Sequence, residues 1–250
     1  MDIENRQAEI LELIQQEKCT SVKELCSMIY ASDATIRRDL HALEQKGLIQ
    51  LLYGNIIPLT EKPQVLPLAF REHQAKSSKR ALACYAASLI QPNTSVLLDS
   101  SSSAMYIADF LNPEHGITVF TNCIKTAIRL YEKDIRVFLL GGLIDTKSLM
   151  TSSAWTLDTI RMVNADYLFF SAQSLSADGY IAGVSDTGVQ IRQYMIRQAE
   201  KQYFLCNEEK IGKTSTFMLC KASDITGVIT NTDLSHIPDV NFVNIHQAEQ

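Results

Sequence analysis

The feature that most constrains this chain is a change in hydrophobic period between its two ends. In the first fifty residues apolar side chains recur at helical spacing. Beyond about residue 90, short β-rich runs alternate with helical stretches. A helix and a strand expose their apolar groups at periods of about 3.6 and 2, so one layer cannot satisfy both patterns. Two domains are therefore expected, and 250 residues are enough for both to bury a core.

Ile3, Ile10, Leu11 and Ile14 predict an amphipathic helix over 3–17. Thr20 and Ser21 are candidate caps for a second helix through Ile29, with Val22, Leu25, Met28 and Ile29 on its apolar face. Tyr30-Ala31 is a tight connection. Ser32 then caps a third helix to about Lys46, and Gly47 ends it. Leu48–Tyr53 and Ile56–Leu59 flank Gly54-Asn55, a hairpin signal. Three helices and a hairpin make a winged helix-turn-helix over 1–59.

Residues 60–76 hold Pro63 and Pro67 and no sustained period, which reads as a linker. The remainder, 77–250, opens with a helix at about 77–90. Strands are expected at 95–99, 117–121, 135–140, 166–171, 202–206 and 227–230, with helices at about 102–111, 123–132, 152–162 and 186–200. Runs such as Val96-Leu97-Leu98 do not alternate, as expected of strands covered on both faces. The fold class is α/β: a winged helix followed by a Rossmann-like, mostly parallel sensor domain.

On the third helix, with Ile36 at zero and 100° per residue, Leu40 and Leu43 fall within about 40° of it and form the buried stripe. Ala34, Arg37, Arg38, His41 and Gln45 lie between about 100° and 200°, on the outward face, with Asp33, Asp39 and Glu44 off its centre. Arginine can pair with guanine or grip phosphate, and Ser32 and Thr35 at the helix start can bond a phosphate. Ser32, Thr35, Arg37, Arg38 and His41 are the candidate DNA contacts. The bland alternative is two solvated arginines paired with Asp33 or Asp39. Charge does not help: the chain carries a net −5, and the first sixty residues hold six Lys and Arg against nine Asp and Glu, a balance of −3.

Ser32-Asp33-Ala34-Thr35-Ile36-Arg37-Arg38-Asp39-Leu40, then Leu43-Glu44 and Gly47, resembles the DeoR-family signature S-x-x-T-I-R-R-D-L-x-x-L-E-x-x-G. The resemblance runs to about Thr232. It implies a winged helix on operator DNA joined to a sugar-phosphate-sensing domain related to ribose-5-phosphate isomerase and glucosamine-6-phosphate deaminase. The chain departs from the family in the wing, where Leu51-Leu52-Tyr53-Gly54-Asn55 stands for the usual R-x-H-G-G.

Ligands of parallel sheets bind beyond the C-terminal strand ends. There lie Asp99 with Ser100, Ser101, Ser102 and Ser103, then Thr121-Asn122, then Gly141-Gly142. Hydroxyls at a helix start favour phosphate; each loop alone could equally be an ordinary cap or turn. The resemblance matches Asp99–Ser103 to a D-x-G-T-T loop and retains the T-N and G-G motifs. It matches 188–192 to an E-A-x-V-K segment and 207–212 to D-x-S-K-F-G. Gly188, Arg192 and Asn207 there replace Glu, Lys and Asp, while Lys210 is kept. The candidate effector contacts are Asp99, Ser101, Ser102, Ser103, Thr121, Asn122, Gly141, Gly142, Arg192 and Lys210.

Nothing in the sequence calls for a cofactor. The six cysteines have no CxxC spacing and read as small buried hydrophobes, so no metal site is expected. No apolar run approaches the roughly 20 residues of a membrane span, and the acidic N-terminus is no signal peptide, so a cytoplasmic protein without a membrane partner is expected. The expected function is a regulator, a repressor of a carbohydrate operon released by a phosphorylated sugar or related metabolite. It is expected to act on operator DNA as a homo-oligomer, a dimer or tetramer. The alternatives are a sugar-phosphate isomerase or deaminase, whose second carboxylate is missing at Gly188 and Asn207, and a regulator whose sensor has lost its ligand.

Overall fold

The structure is a computed structural model that describes residues 3–15, 21–52, 55–58, 66–146 and 148–248. The chain divides into two compact units, Met1–Ala75 and Lys76–Gln250.

The first unit holds α1 (Ile3–Gln15), α2 (Val22–Ile29), α3 (Asp33–Gln45), the antiparallel hairpin β1 (Ile49–Leu52) and β2 (Asn55–Pro58), and α4 (Leu68–His73). Ser21 starts α2 with a capping box, its hydroxyl accepting from the Glu24 amide while the Glu24 side chain bonds back. Thr20, the other candidate cap, lies outside the described residues, as do Tyr53 and Gly54 of the wing. Tyr30 turns the chain between α2 and α3 in the left-handed region (φ 56°), and Gly47 does the same after α3 (φ 68°). Ile10, Leu11 and Ile14 of α1, Leu25, and Ile36, Leu40 and Leu43 of α3 close one core with Ile49 and Ile56 of the hairpin.

The linker expectation is corrected. Residues 68–73 of the anticipated linker form α4, whose Phe70 is buried in the same core. A six-residue helix is too short to show a 3.6-residue period, so its docking was invisible in the sequence. Asp39, read as off the centre of the outward face, is buried.

The second unit opens with α5 (Lys76–Ser88), which leads into β3 (Ser95–Leu98) and α6 (Ser102–Met105). β4 (Thr118–Thr121), α7 (Ile124–Tyr131) and β5 (Arg136–Leu139) follow, then a small hairpin of β6 (Ile144–Asp145) and β7 (Met150–Thr151). Next come α8 (Ala154–Arg161), β8 (Ala165–Phe170), β9 (Ser174–Leu175), β10 (Tyr180–Gly183), α9 (Asp186–Arg197) and β11 (Ala199–Cys206). β12 (Phe217–Lys221), β13 (Gly227–Thr230), β14 (Phe242–Asn244) and α10 (Ile245–Ala248) complete the unit.

Seven strands form one sheet in the order β14-β13-β11-β8-β3-β4-β5, every pair parallel. Alternate residues feed opposite layers: Phe170, Phe204 and Leu168 face α8 and α9, while Phe169, Leu205 and Val96 face the α5 side. All six expected strands belong to this sheet. β14, the short antiparallel sheet β12-β10-β9 and the β6–β7 hairpin were not anticipated.

The described cysteines are free: Cys123 and Cys206 are buried, Cys26 and Cys220 half-buried, and Cys84 is exposed, against the expectation of burial. Cys19 lies outside the described residues. Burial pushes the Cys206 and Cys220 thiols up to about 12. Among the described residues no helix is long and apolar enough to cross a membrane.

Candidate functional site

The outward face of α3 is built from its N-terminus. Ser32 caps the helix by accepting from the Thr35 amide at 3.3 Å, and its hydroxyl lies 2.8 Å from that of Thr35. Arg37 and Arg38 are exposed, as is His41, which stands 3.6 Å from Glu44. The arginines then differ. Arg37 Nε donates to Asp33 at 2.6 Å, one turn back, whereas Arg38 has no ion pair with any described residue. The Asp33 pair raises the Arg37 pKa further. Both partners are about 60% exposed, and water screens an exposed pair of this kind, so a phosphate can displace the carboxylate.

Two acidic residues that seemed peripheral hold this helix in place. Asp39 accepts from Arg6 Nε at 2.5 Å and from Gln7 Nε2 at 3.2 Å, tying α3 to α1. Glu44 accepts from the Leu51 amide at 2.8 Å, tying α3 to the wing. A helix that presents side chains to base edges needs such anchorage, because direct readout depends on orientation.

In the second unit the parallel topology brings the C-terminal ends of β11, β8, β3, β4 and β5 to one side of the sheet. Asp99 leaves β3 fully buried. Its Oδ1 accepts from the Ser101 amide at 3.1 Å and hydroxyl at 2.5 Å, and its Oδ2 accepts from Arg192 Nε at 2.6 Å. Ser101 in turn caps α6 through the Ala104 amide, so this serine shapes the loop. Ser102 and Ser103 follow it and are buried. Arg192 reaches Asp99 from α9, where its second contact is the Gly188 carbonyl at 3.0 Å. A Cβ at Gly188 would lie 3.1 Å from Arg192 Nη1. The small residue at 188 and the arginine at 192 therefore fit together.

Thr121 and Asn122 end β4, both completely buried. Thr121 caps the turn through the Cys123 amide, and Asn122 Nδ2 donates to the Thr151 carbonyl at 3.1 Å. The Gly141 carbonyl accepts from the Thr156 hydroxyl at 2.7 Å. Gly142 has φ 140°, and a Cβ there would meet the same Thr156 oxygen at 2.1 Å, so only glycine fits. Lys210, beyond β11, donates from Nζ to Ser171 Oγ at the end of β8.

The structure thus joins Asp99, Ser101 and Arg192 directly and sets Lys210 on Ser171, a residue the sequence reading missed. Thr121 and Asn122 share the buried turn after β4, and the two glycines sit at the end of β5. Two buried amide oxygens, Asn122 Oδ1 and Asn207 Oδ1, lack a donor among the described residues. Native interiors seldom leave such groups unpaired, so both are suited to accept from a ligand hydroxyl. Among the described residues no three His, Cys, Asp or Glu side chains gather as a metal cluster.

Comparison with known proteins agrees with this division. The chain matches the DeoR-like helix-turn-helix domain over residues 6–61 and the DeoR C terminal sensor domain over residues 74–232. It is 29% identical over 231 residues to the HTH-type transcriptional regulator GolR of Listeria innocua, covering 92% of this chain and 91% of that one. Identity is 27% over 252 residues to the HTH-type transcriptional repressor GlcR of Bacillus subtilis, covering 99% and 97%. It is also 27% over 226 residues to the L-fucose operon activator of Haemophilus influenzae, covering 90% of each. Among solved structures, a ribose 5-phosphate isomerase of Methanocaldococcus jannaschii aligns with 55% of each chain at 13% identity and a TM-score of 0.42, too slight a likeness to carry an argument. With the sensor-domain match alone spanning more than half its length, the chain belongs to the DeoR family of helix-turn-helix transcriptional regulators.

Proposed function

We propose that the chain is a repressor of a carbohydrate operon that binds operator DNA through α3 and is released by a phosphorylated metabolite at the strand ends of the second unit. The observation that carries the DNA half is Arg38, an exposed guanidinium on the outward face of α3 with no ion pair among the described residues. Ser32 and Thr35 supply hydroxyls at the helix start, and Arg37 and His41 extend the same face. Gel-shift titration against the DNA upstream of its own operon tests this. Wild-type protein retards that DNA, and Arg38→Ala weakens binding; equal binding by both would sink the assignment.

The effector half rests on Lys210 and Arg192 as cations and on the unpaired Asn122 and Asn207 oxygens as acceptors for sugar hydroxyls. A thermal-shift screen of sugar phosphates is the direct measurement, because a ligand bound only by the native state raises its melting temperature. No rise with any member of the panel would favour the second reading, a sensor that no longer takes the usual ligand. The Asp99–Arg192 pair supports that reading, since it fills hydrogen-bonding capacity a sugar would otherwise use.

Catalysis is not part of the proposal. Proton transfer next to a carbonyl needs a positioned base; Asp99 is committed to Ser101 and Arg192, and Gly188 and Asn207 supply no second carboxylate. Turnover of sugar phosphates by the purified protein would overturn this. One relative is named a repressor and another an activator; expression of a reporter fused to the operon, measured with and without the gene, decides the sign. Repression predicts higher expression without it.

A further inference from the structure

The outer edge of the large sheet is open and carries exposed apolar side chains. β5 is the terminal strand, so one row of its backbone N–H and C=O groups has no strand partner among the described residues. Its side chains alternate between the two faces. Phe138 stacks on Phe120 at 5.0 Å on the α8 side, while Val137 packs in the α5 layer and Leu139 follows it. Both Phe138 and Leu139 remain nearly half exposed. Edge strands are ordinarily blunted by charge, brevity or a cover. At the opposite edge β14 has three half-buried residues and is followed directly by α10. Within β5 Arg136 is the only charged residue, and its guanidinium lies over the Phe138 ring at 5.4 Å.

The helix beside this edge continues the apolar surface. On α7, Arg129 turns inward, 3.5 Å from Asp109 and over the Tyr106 ring, and Leu130 is buried under the sheet. At 100° per residue, Ile128 and Tyr131 lie about 100° and 160° from Arg129 and about 160° and 100° from the buried Leu130, on the outward side of the helix. They are 52% and 76% exposed. Leu143 and Ile144, just beyond β5, are exposed as well.

We infer that this edge is a contact face between two copies of the chain, the β5 strands running antiparallel about a two-fold axis. The occupant is a second copy because an isologous contact satisfies the same unpaired backbone row in both subunits and closes on itself. The six exposed apolar residues offer on the order of 600 Å² per subunit, most of the about 800 Å² per partner of a stable interface, with the strand backbone supplying the rest. The inference deepens the regulator reading, which calls for two copies because each chain carries one helix-turn-helix.

The test is the mass of the full-length protein by sedimentation over a dilution series, with no DNA present, so that a failure of operator binding does not affect the result. Wild-type protein is expected at twice the chain mass or an even multiple of it. Tyr131→Glu and Leu143→Glu, at positions already open to solvent, are expected to halve that mass with unchanged circular dichroism. Met218→Glu, on β12, leaves it unchanged. Hydrogen exchange on the wild type supplies a measurement free of any folding defect: the β5 amides should lose protection on dilution. A monomeric wild type, Glu variants that keep the wild-type mass, or β5 protection that does not change as the oligomer dissociates would each overturn the inference.

Discussion

The guanidinium of Arg192 donates to the buried carboxylate of Asp99 at 2.6 Å, linking α9 to the loop after β3 across 93 residues of sequence. Asp99 is 1% exposed and Arg192 16%. Removing one partner from so buried a pair leaves an uncompensated charge, which costs about 3–5 kcal/mol. Arg192→Ala should therefore destabilise the second unit by that order in urea denaturation. Combining it with Asp99→Asn should recover part of the loss, because the second change removes the orphaned charge. Additive losses would show that the pair does not act as a unit.

The two arginines of α3 should respond differently to substitution. Arg38→Ala should cost about 1–3 kcal/mol of operator affinity if the side chain reads a base. For Arg37 the informative change is at its partner. Asp33→Asn frees the guanidinium and removes a negative charge from the DNA-facing end, so it should tighten binding and steepen its dependence on salt. Affinity measured over a salt series for Asp33→Asn and wild type checks this; identical slopes would mean that Arg37 does not reach phosphate.

Legibility in the sequence followed the range of the interaction. Helices α1, α2 and α3 of the first unit and six strands of the large sheet were readable because hydrophobic period and caps such as Ser32 and Ser21 act within a few residues. The Asp99 and Ser101 loop was readable from its place at a strand end. Other features depend on distant partners. Asp39 has no visible partner until Arg6, 33 positions earlier, is found against it, and Ser171 matters only once Lys210 is beside it. Strands β9, β10 and β12 are short and antiparallel, set by pairing that no local pattern announces. The phenylalanines and leucines of the sheet signal a strand equally well at a covered position and at an open edge, so the exposure of Phe138 and Leu139 emerged only from strand order.

Because Asp39 anchors α3 rather than facing DNA, its substitution should act through folding. Asp39→Ala removes the acceptor for Arg6 and Gln7 and should destabilise the first unit by about 3 kcal/mol. Operator binding should fall with the folded fraction and recover under stabilising osmolyte. Arg38→Ala, whose defect lies at the DNA, should not recover. Circular dichroism and binding measured together on both variants separate the two kinds of loss.

The start of the sheet carries a pH-dependent clip. Asp166 at the head of β8 accepts from the Ser95 hydroxyl at 2.6 Å and the Ser95 amide at 2.7 Å. The hydroxyl bond first, then the amide bond, holds the Asp166 carboxyl below its ordinary range. A depressed folded pKa means that the unfolded chain takes up the proton first as pH falls. The stabilisation is thus fully present above the ordinary carboxylate value of about 3.9 and is lost as pH drops through the lower folded value. Hydrogen bonds to a charged acceptor contribute about 1.5–3 kcal/mol, so Asp166→Ala should destabilise the second unit by about 2 kcal/mol at neutral pH. The gap between wild type and variant should stay constant down to about pH 5 and narrow below it. A gap that persists unchanged into strong acid would mean that the charge on Asp166 contributes nothing and that packing alone explains the loss.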